Sequence, residues 1–369
     1  MARGLTMPRI LFVAQHRPDR SPSQRFRFEQ YLTYLKSKGY DYDFSFLIDP
    51  ADDKVFYAPG NLFRKSLIFL KSAIKRMRDV SRSSRYDIIF VQREAFMTGS
   101  SWFEKRFSKS KARLVFDFDD AIWNHDVSEG NKSFAWLKDA SKTERIIAAS
   151  DLVIAGNRYL ADYASRFNDS VMILPTTIDT DEYTPRAKQV PSNPVVIGWS
   201  GSITTIKHFE LAIPFLSALK EKYQNRIEIR VVGDGSYRNP SLGIVGKPWV
   251  KATELDDLRG FDIGIMPIPD DDWSKGKCGL KGLQYMALGI PAVMSPVGVN
   301  TEIIHDGTNG FLASSVKDWV EKLSKLIDDA ELRLQLGANA RQTVLDHYSV
   351  LSQKENYIKA FERVLSKSK

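Results

Sequence analysis

Cysteine is almost absent: Cys278 is the only one in 369 residues. That excludes an intramolecular disulfide framework and any cysteine-rich metal site. Histidine is scarce as well, and His16, His125, His208, His305 and His347 form no HExxH or comparable pair. Long apolar runs are missing. Stretches such as Ile10–Ala14 and Ser66–Leu70 fall far short of the ~18–20 residues of a membrane span, and no apolar core of a secretory signal is seen near the start. What remains is 43% hydrophobic and 27% charged, a composition that excludes a wholly disordered or collagen-like chain. A cytoplasmic protein without a structural metal is expected.

The length suits two domains of ordinary size. Strand-like runs at Arg9–Ala14, Tyr86–Val91, Arg113–Phe118, Leu152–Ala155 and Val171–Leu174 alternate with helical patterns at Phe26–Lys38, Phe134–Ser150 and Arg158–Phe167. Alternation of this kind predicts a parallel sheet covered on both faces. Three prolines from Pro185 to Pro194 then read as a linker. Strands at Val195–Gly198, Ile227–Val232, Asp262–Met266 and Pro291–Ser295 follow, with helices at Lys207–Tyr223, Leu280–Leu288, Val316–Ile327, Ala330–His347 and Val350–Ser366. The expectation is α/β: two Rossmann-like domains facing across a cleft, with ligands at the carboxyl ends of the strands. The boundaries are 1–185, a linker at 186–194, a second domain at 195–348 and a C-terminal helix at 349–369.

Two turns in the second half suit a phosphate. Gly198-Trp-Ser-Gly-Ser202 follows a strand, and Thr204-Thr-Ile-Lys207 opens a helix. Gly201 and Ser202 let backbone amides approach a ligand, and Lys207 adds a full charge. The second turn runs from Pro267 through Lys275, Lys277, Cys278 and Gly279 into the helix that begins at Leu280, again an anion cradle. Lys281 and Gln284 share a helical face that suits a diphosphate and a ribose hydroxyl; the plain alternative is a solvated lysine and a helix filler. No GxGxxG follows either first strand, which disfavours classical dinucleotide binding.

The run from Gly276 through Lys277-Cys-Gly-Leu-Lys-Gly-Leu-Gln284 to Glu302 resembles the donor-binding signature of the retaining GT-B glycosyltransferases of "group 1", or family 4. The likeness extends to Asp306-Gly-Thr-Asn-Gly-Phe-Leu312, to Val231-Val-Gly233-Asp-Gly235 and, more loosely, to Leu174–Tyr183. It implies a nucleotide-diphosphate sugar bound by the second domain, an acceptor bound by the first, no catalytic metal or cofactor, and a last helix that crosses back to the first domain. Donor contacts then fall on Gly201, Ser202, Lys207, Gly233, Lys277, Cys278, Gly279, Leu280, Lys281 and Gln284, with Lys207 and Lys281 also catalytic. Two departures stand out. The family's glutamate pair falls on Gly276 and Gln284, and its Arg–Lys diphosphate pair falls on Ser202 and Lys207.

In the first half, Asp117-Phe-Asp-Asp120 ends a strand. Asp119 and Asp120 resemble by position the family's His-Asp pair and are the catalytic candidates there; helix capping is the competing explanation. Arg25, in the guanidinium-rich loop His16–Arg27, and Arg93 with Glu94 are the acceptor-side candidates. Internal salt bridging at Arg93 and Glu94 is the alternative. Cys278 reads as a small packing residue.

The net charge of +8 is concentrated. Residues 61–85 carry Arg64, Lys65, Lys71, Lys75, Arg76, Arg78, Arg82 and Arg85 against Asp79 alone. Phe63, Leu67, Leu70, Ile74 and Met77 recur there at helical spacing, the pattern of an interfacial helix on an anionic membrane. A core helix with a solvated basic face is the alternative. The functional expectation is a glycosyltransferase acting on a glycan or lipid-linked glycan, cytoplasmic and peripheral on the inner membrane face. Its rivals are a GT-B-type epimerase or hydrolase and a non-catalytic nucleotide-sugar or anionic-glycan binder. Nucleic acid is not an expected partner, because no recognised module accompanies the basic segment.

Overall fold

The computed structural model describes residues 7–58, 60–124, 139, 141–186 and 193–366. The chain divides into two compact units, Met1–Thr176 with Gln353–Lys369, and Thr177–Ser352.

The first unit holds a six-stranded sheet of β1 (Arg9–His16), β2 (Asp41–Ile48), β3 (Ile88–Gln92), β4 (Arg113–Phe118), β5 (Leu152–Ala155) and β6 (Val171–Ile173). All pairings are parallel, in the order β2-β1-β3-β4-β5-β6. Strands β3, β4 and β5 are buried at every residue, as parallel strands covered on both faces must be. Two helices of this unit matter below, α1 (Leu62–Ser81) and α2 (Trp102–Ser108). Because β2 adds to one side of β1 and β3 to the other, the carboxyl ends of β1 and β3 flank a topological switch point, the usual ligand position in such sheets.

The second unit repeats the plan with β7 (Val195–Ser200), β8 (Ile227–Gly233), β9 (Lys247–Pro248), β10 (Ile263–Met266), β11 (Ala292–Met294) and β12 (Gly310–Leu312). The order is β9-β8-β7-β10-β11-β12, again parallel, so its switch point lies between β7 and β10. Phe215 and Trp319 stack at 4.5 Å within a core that includes Trp199, Phe209, Leu216 and Leu219; each such side chain contributes roughly 1.5–3 kcal/mol on burial. Helix α3 (Leu280–Ala287) follows β10. The last helix, α4 (Val350–Leu365), counts with the first unit from Gln353 onward. Its Tyr357 lies 4.3 Å from Tyr31 and donates to the Arg27 carbonyl at 2.6 Å, while Phe361 meets Tyr40 and Phe90.

Several elements differ from expectation. Phe26–Lys38 is not one helix: Pro22–Arg25, a 3-10 turn at Glu29–Tyr31 and Leu32–Ser37 replace it. Phe26, Arg27 and Phe28 are consecutive and all buried, which one face of a regular helix cannot achieve. Lys207–Tyr223 breaks into Ile206–Glu210 and Ile213–Tyr223, with Pro214 in the first turn of the second piece, where its missing N–H costs nothing. Strand β2 has no counterpart in the sequence reading. Of the helix expected at Phe134–Ser150, Ser141–Ala149 is present, and positions 134–138 and 140 lie outside the described residues. The units part at Thr176, ahead of the expected linker, of which 187–192 lie outside the described residues. Tyr183 is fully buried and accepts from Arg341 and Gln284, which ties this stretch to the second unit.

Candidate active site

At the switch point of the second unit, β7 delivers Gly201 and Ser202. A side chain on Gly201 would place its Cβ 2.2 Å from the Trp199 ring, and one on Gly233 (φ +138°) would lie 2.1 Å from the Gly201 carbonyl oxygen. The two glycines thus let neighbouring loops press together. Ser202 caps the turn Ile203–Thr205, its N–H donating to the Thr205 hydroxyl at 2.9 Å. Lys207 is exposed and the adjoining His208 buried.

The other side of the switch point is the loop after β10. Asp271 accepts from the Ser274 N–H at 2.7 Å and starts the short helix Asp272–Lys275. Gly276, Lys277, Cys278 and Gly279 then lead to Leu280 at the start of α3. Gly279 is left-handed (φ +69°), and a Cβ there would meet Ile303 at 2.4 Å. Cys278 is buried with its sulfur 3.9 Å from the Gly276 carbonyl, a packing position. Lys277 Nζ lies 4.2 Å from the Trp273 ring centre and Lys281 Nζ 5.4 Å from that of Trp199.

These loops bring three lysines onto one histidine. Burial lowers the His208 pKa to about 4, helped by Lys281, Lys277 and Lys207 in that order, with Asp271 acting against them. The region is therefore strongly cationic around a neutral imidazole. Helix α3 is held in place by Tyr285, whose buried hydroxyl accepts from the Ser200 N–H at 2.8 Å and is pushed up to about 12 by burial. Gln284 donates to the Tyr183 hydroxyl at 2.9 Å and to Glu254 at 3.1 Å. Glu254, Tyr183 and His208 escaped the sequence reading. The adjacency of His208 to Lys207 is a signal the sequence carries, whereas nothing in the spacing links Glu254 to Gln284.

The first unit's switch point is organised by ion pairs. Arg93, just past β3 in a left-handed conformation (φ +61°), donates from its backbone to the Asp117 carbonyl at 2.8 Å. Its side chain bonds Asp119 at 2.8 Å and reaches Asp120 at 3.5 Å. The two carboxylates thus serve as partners of Arg93, and no helix among the described residues is capped by them. Glu94 pairs with Lys142 at 2.7 Å, so both Arg93 and Glu94 sit in internal salt bridges. Asp117 itself is fully buried against Arg27 at 2.5 Å. Arg25 is buried over the Phe26 ring, whereas Arg17 and Arg20 hold Asp53 at 2.9 and 2.6 Å. His16, ending β1, is lowered to about 4 by burial and by Arg20, Arg93 and Arg17, with Asp53 opposing. Arg93 thus acts on His16 together with Arg20 and Arg17.

Residues 194–329 match the family model of the group 1 glycosyl transferases. The match falls within the second unit, Thr177–Ser352. Among curated proteins similar to this chain, the D-inositol 3-phosphate glycosyltransferase of Stackebrandtia nassauensis is 28% identical over 236 residues, covering 55% of the chain and 51% of the relative. The protein of that name from Corynebacterium kroppenstedtii is 28% identical over 290 residues, covering 72% and 57%. The chain thus spans about half the length of these curated relatives. Among solved structures, sucrose-phosphate synthase from Thermosynechococcus elongatus superposes with a TM-score of 0.71 at 13% identity, over 98% of this chain and 100% of that one. Anabaena HepE in complex with UDP-glucose gives a TM-score of 0.66 at 14% identity, over 96% and 99%. The fold is GT-B: α/β, with two parallel six-stranded sheets.

Proposed function

We propose that this chain moves a sugar from a nucleotide diphosphate to a hydroxyl of a glycan or lipid-linked glycan, with retention of configuration and without a metal. The observation that carries the reading is the convergence of Lys207, Lys277 and Lys281 on the neutral His208 at the switch point of the second unit. When the bond from the anomeric carbon to the diphosphate breaks, negative charge grows on the leaving oxygens. Lys207, Lys281 and the amides at Cys278, Gly279 and Leu280 bind that charge more strongly than the ground state, which is what lowers a barrier. Gly201, Ser202 and Gly233 shape the wall, and Gln284, steadied by Tyr183 and Glu254, faces the ribose side. On the acceptor side, Arg93 holds Asp119 and Asp120, the carboxylates this reading assigns to the acceptor hydroxyl.

A thermal-shift screen across UDP-, GDP-, ADP- and dTDP-sugars tests the donor class. UDP-glucose is the first to try, since HepE binds it. Stabilisation by one nucleotide series is expected; none by any series would remove the reading. NMR of the product's anomeric centre then tests retention. Asp119→Asn should lower turnover about tenfold or more with donor affinity unchanged. Normal activity per folded molecule with a lower melting temperature would make Asp119 merely the partner of Arg93. Gly276, where the family carries a carboxylate, favours a second reading as a non-catalytic nucleotide-sugar binder; donor binding without turnover on any acceptor would support it.

A further inference from the structure

Helix α1 is built inside out. Its inward face carries Lys65, Ile68, Ser72, Arg76 and Asp79. Arg76 is fully buried and donates to the Ala95 carbonyl at 2.6 Å, the Ala14 carbonyl at 2.7 Å, the Ser45 hydroxyl at 2.8 Å and Asp79 at 2.9 Å. This fixes the rotation of the helix and removes Arg76 and Lys65 from the exposed charge of the basic segment. It also turns Phe63, Leu67, Leu70, Ile74 and Met77 outward, with Phe63 77% and Leu70 57% exposed. At spacings of four and three these five form one continuous stripe. A core helix with a solvated basic face, the alternative weighed from sequence, is therefore not what folds.

Charge flanks the stripe on both sides. Arg64, Lys71, Lys75 and Arg78 follow one edge, with Lys71 on Asp49 and Asp52 and Lys75 over Phe46. At the other edge Phe69 packs on Phe96 at 4.9 Å, Phe96 on Phe103 at 5.1 Å, and Phe103 on Trp102 at 5.1 Å. That chain of rings leads to α2, where Trp102, Lys105 and Arg106 are exposed. The only acid in each helix, Asp79 in α1 and Glu104 in α2, is fully buried. No helix among the described residues is long and apolar enough to cross a membrane. We propose that α1 and the exposed edge of α2 dock the protein flat on an anionic phospholipid surface, the stripe entering among the acyl chains and the cations meeting the headgroups. This inference is independent of the donor chemistry.

Co-sedimentation of the full chain with vesicles tests it. Binding is expected to vesicles of equimolar phosphatidylcholine and phosphatidylglycerol, not to phosphatidylcholine alone, and to weaken with salt. Arg64→Gln with Arg78→Gln should cost about fivefold in partitioning per charge removed. Leu67→Gln with Leu70→Gln and Ile74→Gln should abolish binding while leaving melting temperature unchanged, because all three side chains are outside the core. Absent or salt-insensitive binding, or binding unaffected by either variant set, would overturn the proposal. So would a concentration-dependent dimer that the apolar variants dissociate in the absence of lipid, since a second copy would then be the occupant.

Discussion

His16 and His208 hold comparable places, each near the carboxyl end of the first strand of its sheet, and each is held to a pKa of about 4 by burial and three cations. Their surroundings differ in kind. In the first unit the cations are arginines forked onto carboxylates: Arg17 and Arg20 on Asp53, Arg93 on Asp119 and Asp120. In the second they are lysines from two segments, Lys207 from one and Lys277 with Lys281 from the other, the latter two poised over indole rings. A guanidinium–carboxylate fork fixes geometry, whereas an ammonium on a long stem follows a phosphate. Two parallel six-stranded sheets of different strand order thus carry one switch point whose charges pair with each other and another whose lysines the proposed function assigns to a diphosphate.

The comparison breaks most visibly if a charge is removed from each side. Asp117→Ala strands the fully buried Arg27 and should cost about 3–5 kcal/mol of stability in urea denaturation. A loss under 1 kcal/mol would show that the first unit's pairs are not structural. Lys207→Ala and Lys281→Ala should each weaken nucleoside-diphosphate binding by roughly 1.5–3 kcal/mol in calorimetry, with nucleoside binding and melting temperature nearly unchanged. Equal losses for nucleoside and diphosphate would place these lysines elsewhere than at the phosphates.

A smaller effect follows from the histidines. Both bind a proton at about 4 when folded against 6.5 otherwise. The unfolded chain takes up more protons between those values, so stability should fall as pH drops from about 6.5 to 4. Replacing His208 with Gln should flatten that part of the curve; an unchanged slope would mean that His208 is not held neutral.

How far the sequence revealed this depends on where each signal lies. Strands β4 and β5 match the residues read from sequence because each is short and built on an apolar run, Leu114-Val-Phe116 in β4 and all of Leu152–Ala155 in β5. Strand β2 is an edge strand of sequence Asp-Tyr-Asp-Phe-Ser-Phe-Leu-Ile, whose polar alternation carries no such run. In α1 the stripe was readable from spacing, but which face turns inward was decided by Arg76 reaching carbonyls at Ala14 and Ala95, contacts that no local pattern encodes. At the candidate site, the phosphate-suited turns were legible from their glycines and lysines. The Gln284–Glu254 contact and the clustering around His208 needed the fold, because they join loops that only the sheet order brings together.

The two histidines also offer the most direct test of the central claim, that the second unit's switch point holds a nucleoside diphosphate. NMR pH titration of the imidazole resonances, with and without saturating nucleoside diphosphate, reads both sites at once. An anion among Lys207, Lys277 and Lys281 offsets the charges that depress His208, so its midpoint should rise from about 4 toward 6.5, while His16 stays near 4. A fixed His208 midpoint in the presence of bound nucleotide, or a shift confined to His16, would contradict the account.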